Sequence, residues 1–129
     1  MPHIALLKNI WECVYNPKLD VIETVEKFFH KDYEQYINGV RMNRAEYIHH
    51  VLAQRQSMNI ECIDYKHFLK KRNELFAIYY PKGKNANNLP IEAEVIAYFC
   101  FESQQILKIH GQVRLINGKL ADADLGECK

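Results

Sequence analysis

The chain has 129 residues and a net charge of +1, from 17 Lys and Arg against 16 Asp and Glu. At roughly 100–200 residues per domain this reads as a single domain, 1–129, long enough to bury a core without a disulfide or metal staple. Apolar residues at 48 % and charged residues at 26 % are ordinary globular composition, and the balanced charge excludes the basic excess of a dedicated nucleic-acid binder.

The N-terminal stretch carries Lys8 and Glu12 among its apolar residues, so it lacks the unbroken apolar run of a secretion signal. No segment approaches the ~18 apolar residues of a membrane span. These features predict a cytoplasmic protein with no membrane partner. Ile4, Leu7, Trp11 and Val14 recur at helical spacing and predict a first helix. Asn16-Pro17 breaks it and supplies an N-cap and first-turn proline for a second, whose stripe is Val21, Ile22, Val25, Phe28 and Phe29. Residues 33–40 predict a short strand running into a turn at Asn38-Gly39. Asn43 and Glu46 have capping-box spacing, opening a third helix with Tyr47, Ile48, Val51, Leu52 and Met58 on one face and an end near Ser57.

From there the pattern is of strands: residues 59–70, 75–80, 91–101 and 106–116. Residues 81–90, PKGKNANNLP, predict a polar loop. Cys13, Cys62, Cys100 and Cys128 form no CxxC pair, so zinc and redox motifs are unsupported. Cys62 and Cys100 are expected as small buried side chains in neighbouring strands, and Cys128 as an exposed thiol. Helices followed by long antiparallel strands predict an α+β fold, a curved sheet wrapped around the N-terminal helices to form a cone with an internal cavity.

Three stretches carry a family resemblance. They are Phe28-Phe29-His30-Lys31-Asp32-Tyr33 followed by Ile37-Asn38-Gly39, Asn43-Arg44-Ala45-Glu46-Tyr47-Ile48, and Ala97-Tyr98-Phe99-Cys100-Phe101-Glu102 with Ile106-Leu107-Lys108-Ile109. With the tail Asn117-Gly118 and Asp122-Ala123-Asp124-Leu125-Gly126, their order and spacing resemble the SnoaL-like branch of the nuclear transport factor 2-like superfamily. The resemblance implies a cone fold, a homodimer through the outer face of the sheet, and cofactor-free chemistry of the isomerase, cyclase or dehydratase kind where there is chemistry at all. It also places His110 where relatives line the cavity, and Tyr36 where enzymes of the superfamily often carry an Asp or His base.

Alternation puts Ile106, Lys108, His110, Gln112, Arg114 and Ile116 on one face of the last strand and Leu107, Ile109, Val113 and Leu115 on the other, with Gly111 between. An imidazole is a side chain suited to proton transfer near neutral pH, so His110 is the candidate acid–base, with Tyr36 as an oxyanion donor assisted by Tyr33 or Tyr98. Glu34 shares the face of Tyr36, and Glu92 with Glu94 forms a carboxylate pair whose alternative role is a charged strand end. With eight Tyr, six Phe and one Trp, the chain has rings to line a cavity; Trp11, Phe29, Tyr33, Tyr36, Tyr79 and Tyr98 are the candidates. His49 and His50 point about 100° apart on a helix and cannot share a metal. Neither metal nor cofactor is called for.

Three functions compete: a binding domain for a small apolar or aromatic ligand, an acid–base enzyme using His110 and Tyr36, and a structural or protein-interaction domain. A void below the ~300 Å³ of ordinary ligand pockets would leave only the third.

Overall fold

A computed structural model describes residues 1–118. The tail motif at 122–126 and Cys128 lie outside the described residues. Three helices precede and interrupt the first strands: α1 (His3–Val14), α2 (Val21–Phe28) and α3 (Arg44–Ser57). The strands are β1 (Phe29–Ile37), β2 (Val40–Asn43), β3 (Met58–Lys71), β4 (Glu74–Asn85), β5 (Pro90–Glu102) and β6 (Gln105–Asn117).

α1 buries Leu6, Leu7, Ile10, Trp11 and Val14, the stripe that helical spacing requires of a helix lying on a sheet. α2 starts later than its sequence suggests. Asp20, not Asn16, is its N-cap and accepts from the Glu23 N–H at 2.9 Å. The Asn16 side chain accepts from the Lys18 N–H at 3.0 Å, closing a local turn that competes with helix initiation. α2 ends at Phe28, and Phe29 opens β1 fully buried rather than closing the helical stripe. α3 has the expected capping box: Asn43 Oδ1 accepts from the Glu46 N–H at 2.9 Å while Glu46 Oε1 accepts from the Asn43 N–H at 2.8 Å.

The strands form one six-stranded sheet in the order β2-β1-β6-β5-β4-β3. All neighbours are antiparallel except β1 and β6, which run parallel. β1 and β2 turn at Asn38-Gly39, both at positive φ (52° and 80°), a conformation Asn and Gly adopt at low cost. The Asn38 side chain fixes this turn to β6, donating to the Val113 carbonyl at 3.0 Å and accepting from the Val113 N–H at 2.8 Å.

β4 continues through Pro81 and Gly83 to Asn85, where the sequence predicts a loop. Its pairing with β5 lapses between Tyr79 and Lys82, while Pro81 stays in register with Ile63 of the edge strand β3. Cys62 on the edge strand β3 is exposed, and β4 separates it from Cys100 on β5, so the expectation of two buried neighbours fails.

The helices pack on one face of the curved, unclosed sheet. β1 sends Phe29, Tyr33, Gln35 and Ile37 to that face, and β6 sends Ile106, Ile109 and Gly111. A bulge at Leu107, between the pairs Phe101–Ile106 and Cys100–Lys108, lets Ile106 and Ile109 both point inward. Lys108, His110, Gln112 and Arg114 face outward. The expectation that His110 looks into the hollow is therefore corrected: its face also carries Lys108 and Arg114, whose burial without partners is prohibitive, while the apolar Ile109 face takes the core.

Candidate functional site

The hollow inside the cone is built on Trp11 of α1. Its ring lies 5.8 Å from Tyr15, 6.2 Å from Phe29, 6.5 Å from Tyr79 and 6.2 Å from Phe99, centroid to centroid. The enclosed space has a volume of about 50 Å³. Its polar lining comes from Tyr15, Gln35, Tyr47, His50, Gln54 and Tyr79. Beside it, between α1 and the free edge of β3, an open cleft of about 690 Å³ is bounded by Lys8, Glu12, Asn59, Glu61 and Tyr65. Trp11 and Tyr15 border both spaces. The enclosed part falls below the volume of an ordinary ligand pocket, so the hollow expected inside the cone cannot by itself hold a ligand; only the open cleft at its mouth exceeds that volume.

Of the residues the sequence singled out, Trp11 and Tyr79 border the hollow. Phe29 and Tyr33 form the wall behind it, each packed on Tyr47 at 4.9 and 5.6 Å. Tyr36, Tyr98 and His110 lie together on the opposite face of the sheet, Tyr36 stacked on His110 at 5.8 Å, with Tyr98 and His110 in register. Their inward placement is thus corrected. Glu34 on that face binds Arg41 at 2.6 Å. Glu94 accepts from Tyr80 Oη at 2.6 Å and Arg114 Nε at 3.2 Å, bonds that hold its carboxyl below the usual range.

Gln35 and Gln54 were not singled out in the sequence, Tyr47 was expected only on the apolar face of α3, and His50 was considered only as a metal ligand. Gln35 alternates with Tyr33 and Ile37, which places it inward, and accepts from Tyr33 Oη at 2.6 Å. On α3 the buried face is Tyr47, His50, Val51 and Gln54, while Leu52 is exposed. The 3–4 spacing that joins Tyr47 to Gln54 through His50 was the available signal, masked by the polarity of two of its members.

Burial holds the Tyr33, Tyr47 and Tyr79 phenols well above their ordinary value of 10, and neighbouring phenols add to the rise for each. These groups stay protonated donors at any physiological pH. Folded-state values above the unfolded value mean stability that is whole below about pH 10 and lost as pH climbs toward the folded values. Raising the pH past 10 is accordingly expected to ionise these tyrosines only together with unfolding. Phenolate absorbance and far-UV circular dichroism would then share one transition, whereas phenolate formation in folded protein would contradict the burial.

The Trp11 Nε1–H is buried and makes no hydrogen bond, although it stands near enough to the Tyr79 hydroxyl to offset part of that phenol's rise. Among the described residues no carboxylate lines the enclosed hollow. Its chemistry is that of several donors converging on a small space, with one imidazole, His50, in the wall.

No protein-family model matches the sequence, and no curated protein matches it. Solved structures do. The chain superposes on the "Putative Isomerase from Rhodopseudomonas palustris" with a TM-score of 0.75 at 12 % identity, covering 95 % of this chain and 97 % of that one. Wild-type IdmH, "a putative polyketide cyclase from Streptomyces antibioticus", matches with a TM-score of 0.69 at 10 % identity over 88 % and 92 % of the two chains. A protein from Catenulispora acidiphila described as having a ketosteroid isomerase-like fold, in complex with trimethylamine, matches at 0.67 and 9 % identity over 92 % and 88 %. The chain has the nuclear transport factor 2-like fold. At these identities the likeness is one of backbone. Within this nuclear transport factor 2-like cone, what the chain does must be argued from its own side chains.

Proposed function

We propose that this is a small-molecule-binding domain. Its ligand is a flat, mainly apolar molecule that lies in the cleft between α1 and β3 and turns an acceptor oxygen, of carbonyl type, toward the hollow. The observation that carries this reading is the Trp11 Nε1–H, a buried donor without a partner at the border of the hollow and the cleft. Such a group costs about 1–3 kcal/mol until an acceptor reaches it. The names borne by the structural neighbours, isomerase and polyketide cyclase among them, fit a ligand of this class.

Native mass spectrometry of the purified protein tests the reading directly. A bound small molecule that is displaced by Trp11→Ala supports it. Protein that carries nothing, and whose tryptophan emission is unmoved by a panel of aromatic ketones, overturns it.

A second reading, cofactor-free acid–base catalysis, is favoured by one feature: His50 is a buried imidazole in the wall of the hollow, beside Tyr47. His110 and Tyr36 face away from that space, so their proposed catalytic roles require chemistry on the outer surface. With a turned-over substrate in hand, His50→Ala should abolish turnover and His110→Ala leave it, the opposite result restoring the outer pair.

The outer face also supports a homodimer. Phe76, Tyr98, His110 and Tyr36 form a row across four strands in register, with Ile96 beside it; Phe76 and Ile96 are 39 % and 37 % exposed. Ion pairs Glu34–Arg41 and Glu94–Arg114 already neutralise charge around this row. Light scattering is expected to show a dimer at micromolar concentration and a monomer after Ile96→Lys; a monomeric parent would refute the interface.

A further inference from the structure

The break between α1 and α2 places one side chain at the meeting point of every space in the mouth of the cone. Tyr15 borders the enclosed hollow, the open cleft and a third void of about 110 Å³ that lies between the α1–α2 connection, the end of α3 and the start of β3. Its ring also packs on both hydrophobic clusters, the main core and the smaller group of Met58, Ile60, Ile91 and Ala93. It stacks on Trp11 with 29° between the planes.

We propose that Tyr15 is the specificity-determining gate of this site. Its ring closes the hollow in the state described above, and it swings into the void behind it to let the oxygen-bearing end of a ligand reach Trp11. The inference rests on the binding reading for what passes the gate, but not for the gate itself.

Four features support the motion. The void is bounded by Tyr15 itself, so free space outside the hollow adjoins this residue. Met58, Pro17 and Ile60 line that void, so the alternative position is apolar and suited to a ring. Burial alone pushes the Tyr15 phenol up, with no hydrogen-bond or charge partner contributing, so no side-chain bond holds the ring in place. Finally, the backbone on both sides of Tyr15 is held. Arg55 donates to the Val14 carbonyl at 2.8 Å and to the Leu19 carbonyl, which anchors the connection and confines movement to the side chain.

The consequence is a size rule. With the ring in place only a space of about 50 Å³ lies beyond it, room for little more than a terminal functional group. The body of the ligand stays in the cleft. A smaller residue at 15 joins hollow and cleft, and the site then admits a ligand deeper and with less discrimination.

The test uses Trp11, the single tryptophan of the chain, as reporter and acrylamide as a neutral quencher that must touch the indole. Tyr15→Ala is expected to raise the quenching constant by about threefold, as local opening no longer limits access, while Tyr15→Phe keeps the parent value. Met58→Phe fills the void with the parent ring in place and should reduce quenching below the parent level, which keeps the test decisive if Tyr15→Ala fails to fold. Unchanged quenching in a folded Tyr15→Ala, or in a folded Met58→Phe, overturns the gate. A stopped-flow arm with 8-anilinonaphthalene-1-sulfonate separates the two claims. Faster association with Tyr15→Ala supports the gate as a control on entry, and unaltered association removes that role. No binding to any variant, alongside altered acrylamide quenching, counts against the ligand reading and leaves the gate standing.

Discussion

Replacing Gly83 by alanine is expected to destabilise the protein by roughly 3 kcal/mol or more, because the added methyl has nowhere to go. A Cβ at Gly83 would stand 1.9 Å from the Asn59 carbonyl oxygen and 2.8 Å from the Ile60 Cα, both on the backbone of β3. No rotamer change relieves a clash with main chain, so β3 must draw away from β4. The residues it would displace, Asn59 and Ile60, bound the cleft. Loss of stability and loss of the binding surface should therefore arrive together. A urea midpoint shifted by less than the equivalent of about 1 kcal/mol would show that β3 is not held in this close pairing.

Removing the indole of Trp11 is the other large effect. Trp11→Ala is expected to cost about 3–5 kcal/mol, the range for deleting a large buried ring. Trp11 is 5 % exposed and touches four aromatic rings, from the α1–α2 connection, β1, β4 and β5, so the vacated space cannot be closed by a single neighbour. Trp11→Phe keeps most of the ring and deletes the unpartnered N–H, so it should cost far less than the alanine change. Chemical denaturation followed by circular dichroism distinguishes them. Equal losses in the two variants would mean that the polar N–H is satisfied in solution.

How far the sequence foretold this arrangement differs from element to element, for physical reasons. The capping box of α3 and the Asn38-Gly39 turn were legible because each depends on two or three adjacent residues. The start of α2 was not, since both Asn16 and Asp20 are N-cap residues. The choice rests on the local turn at Asn16 and on Arg55, 36 positions away from the Leu19 carbonyl it binds. β4 was cut short at Pro81 because proline, glycine and asparagine signal loops. Here the proline sits where the ladder lapses, and the glycine is a packing requirement.

The site shows the same division. Alternation along β6 sorted its side chains from Lys108 onward, but the bulge at Leu107 turns Ile106 to the opposite face from the one alternation gave it, and assigning the face that holds His110 to the cavity went against its charged companions. The aromatic residues near the hollow were anticipated as a class. The polar ones, Gln35, His50 and Gln54, were missed because a buried polar residue looks like a surface residue until its neighbours are known.

The parallel pairing of β1 with β6 has a consequence for how the chain acquires its shape. Among the described residues β6 is the last strand in chain order, yet it lies between β1 and β5 and joins the two halves of the sheet. Until it is laid down, the amino-terminal half and the β3–β5 meander have no shared ladder, and the aromatic faces meant to meet inside the cone remain open to water. Closure thus requires contacts between residues some seventy-five positions apart, such as Asn38 with Val113. Assembly of the interior consequently waits on β6, and the nascent chain is most in need of protection from aggregation just before that strand emerges.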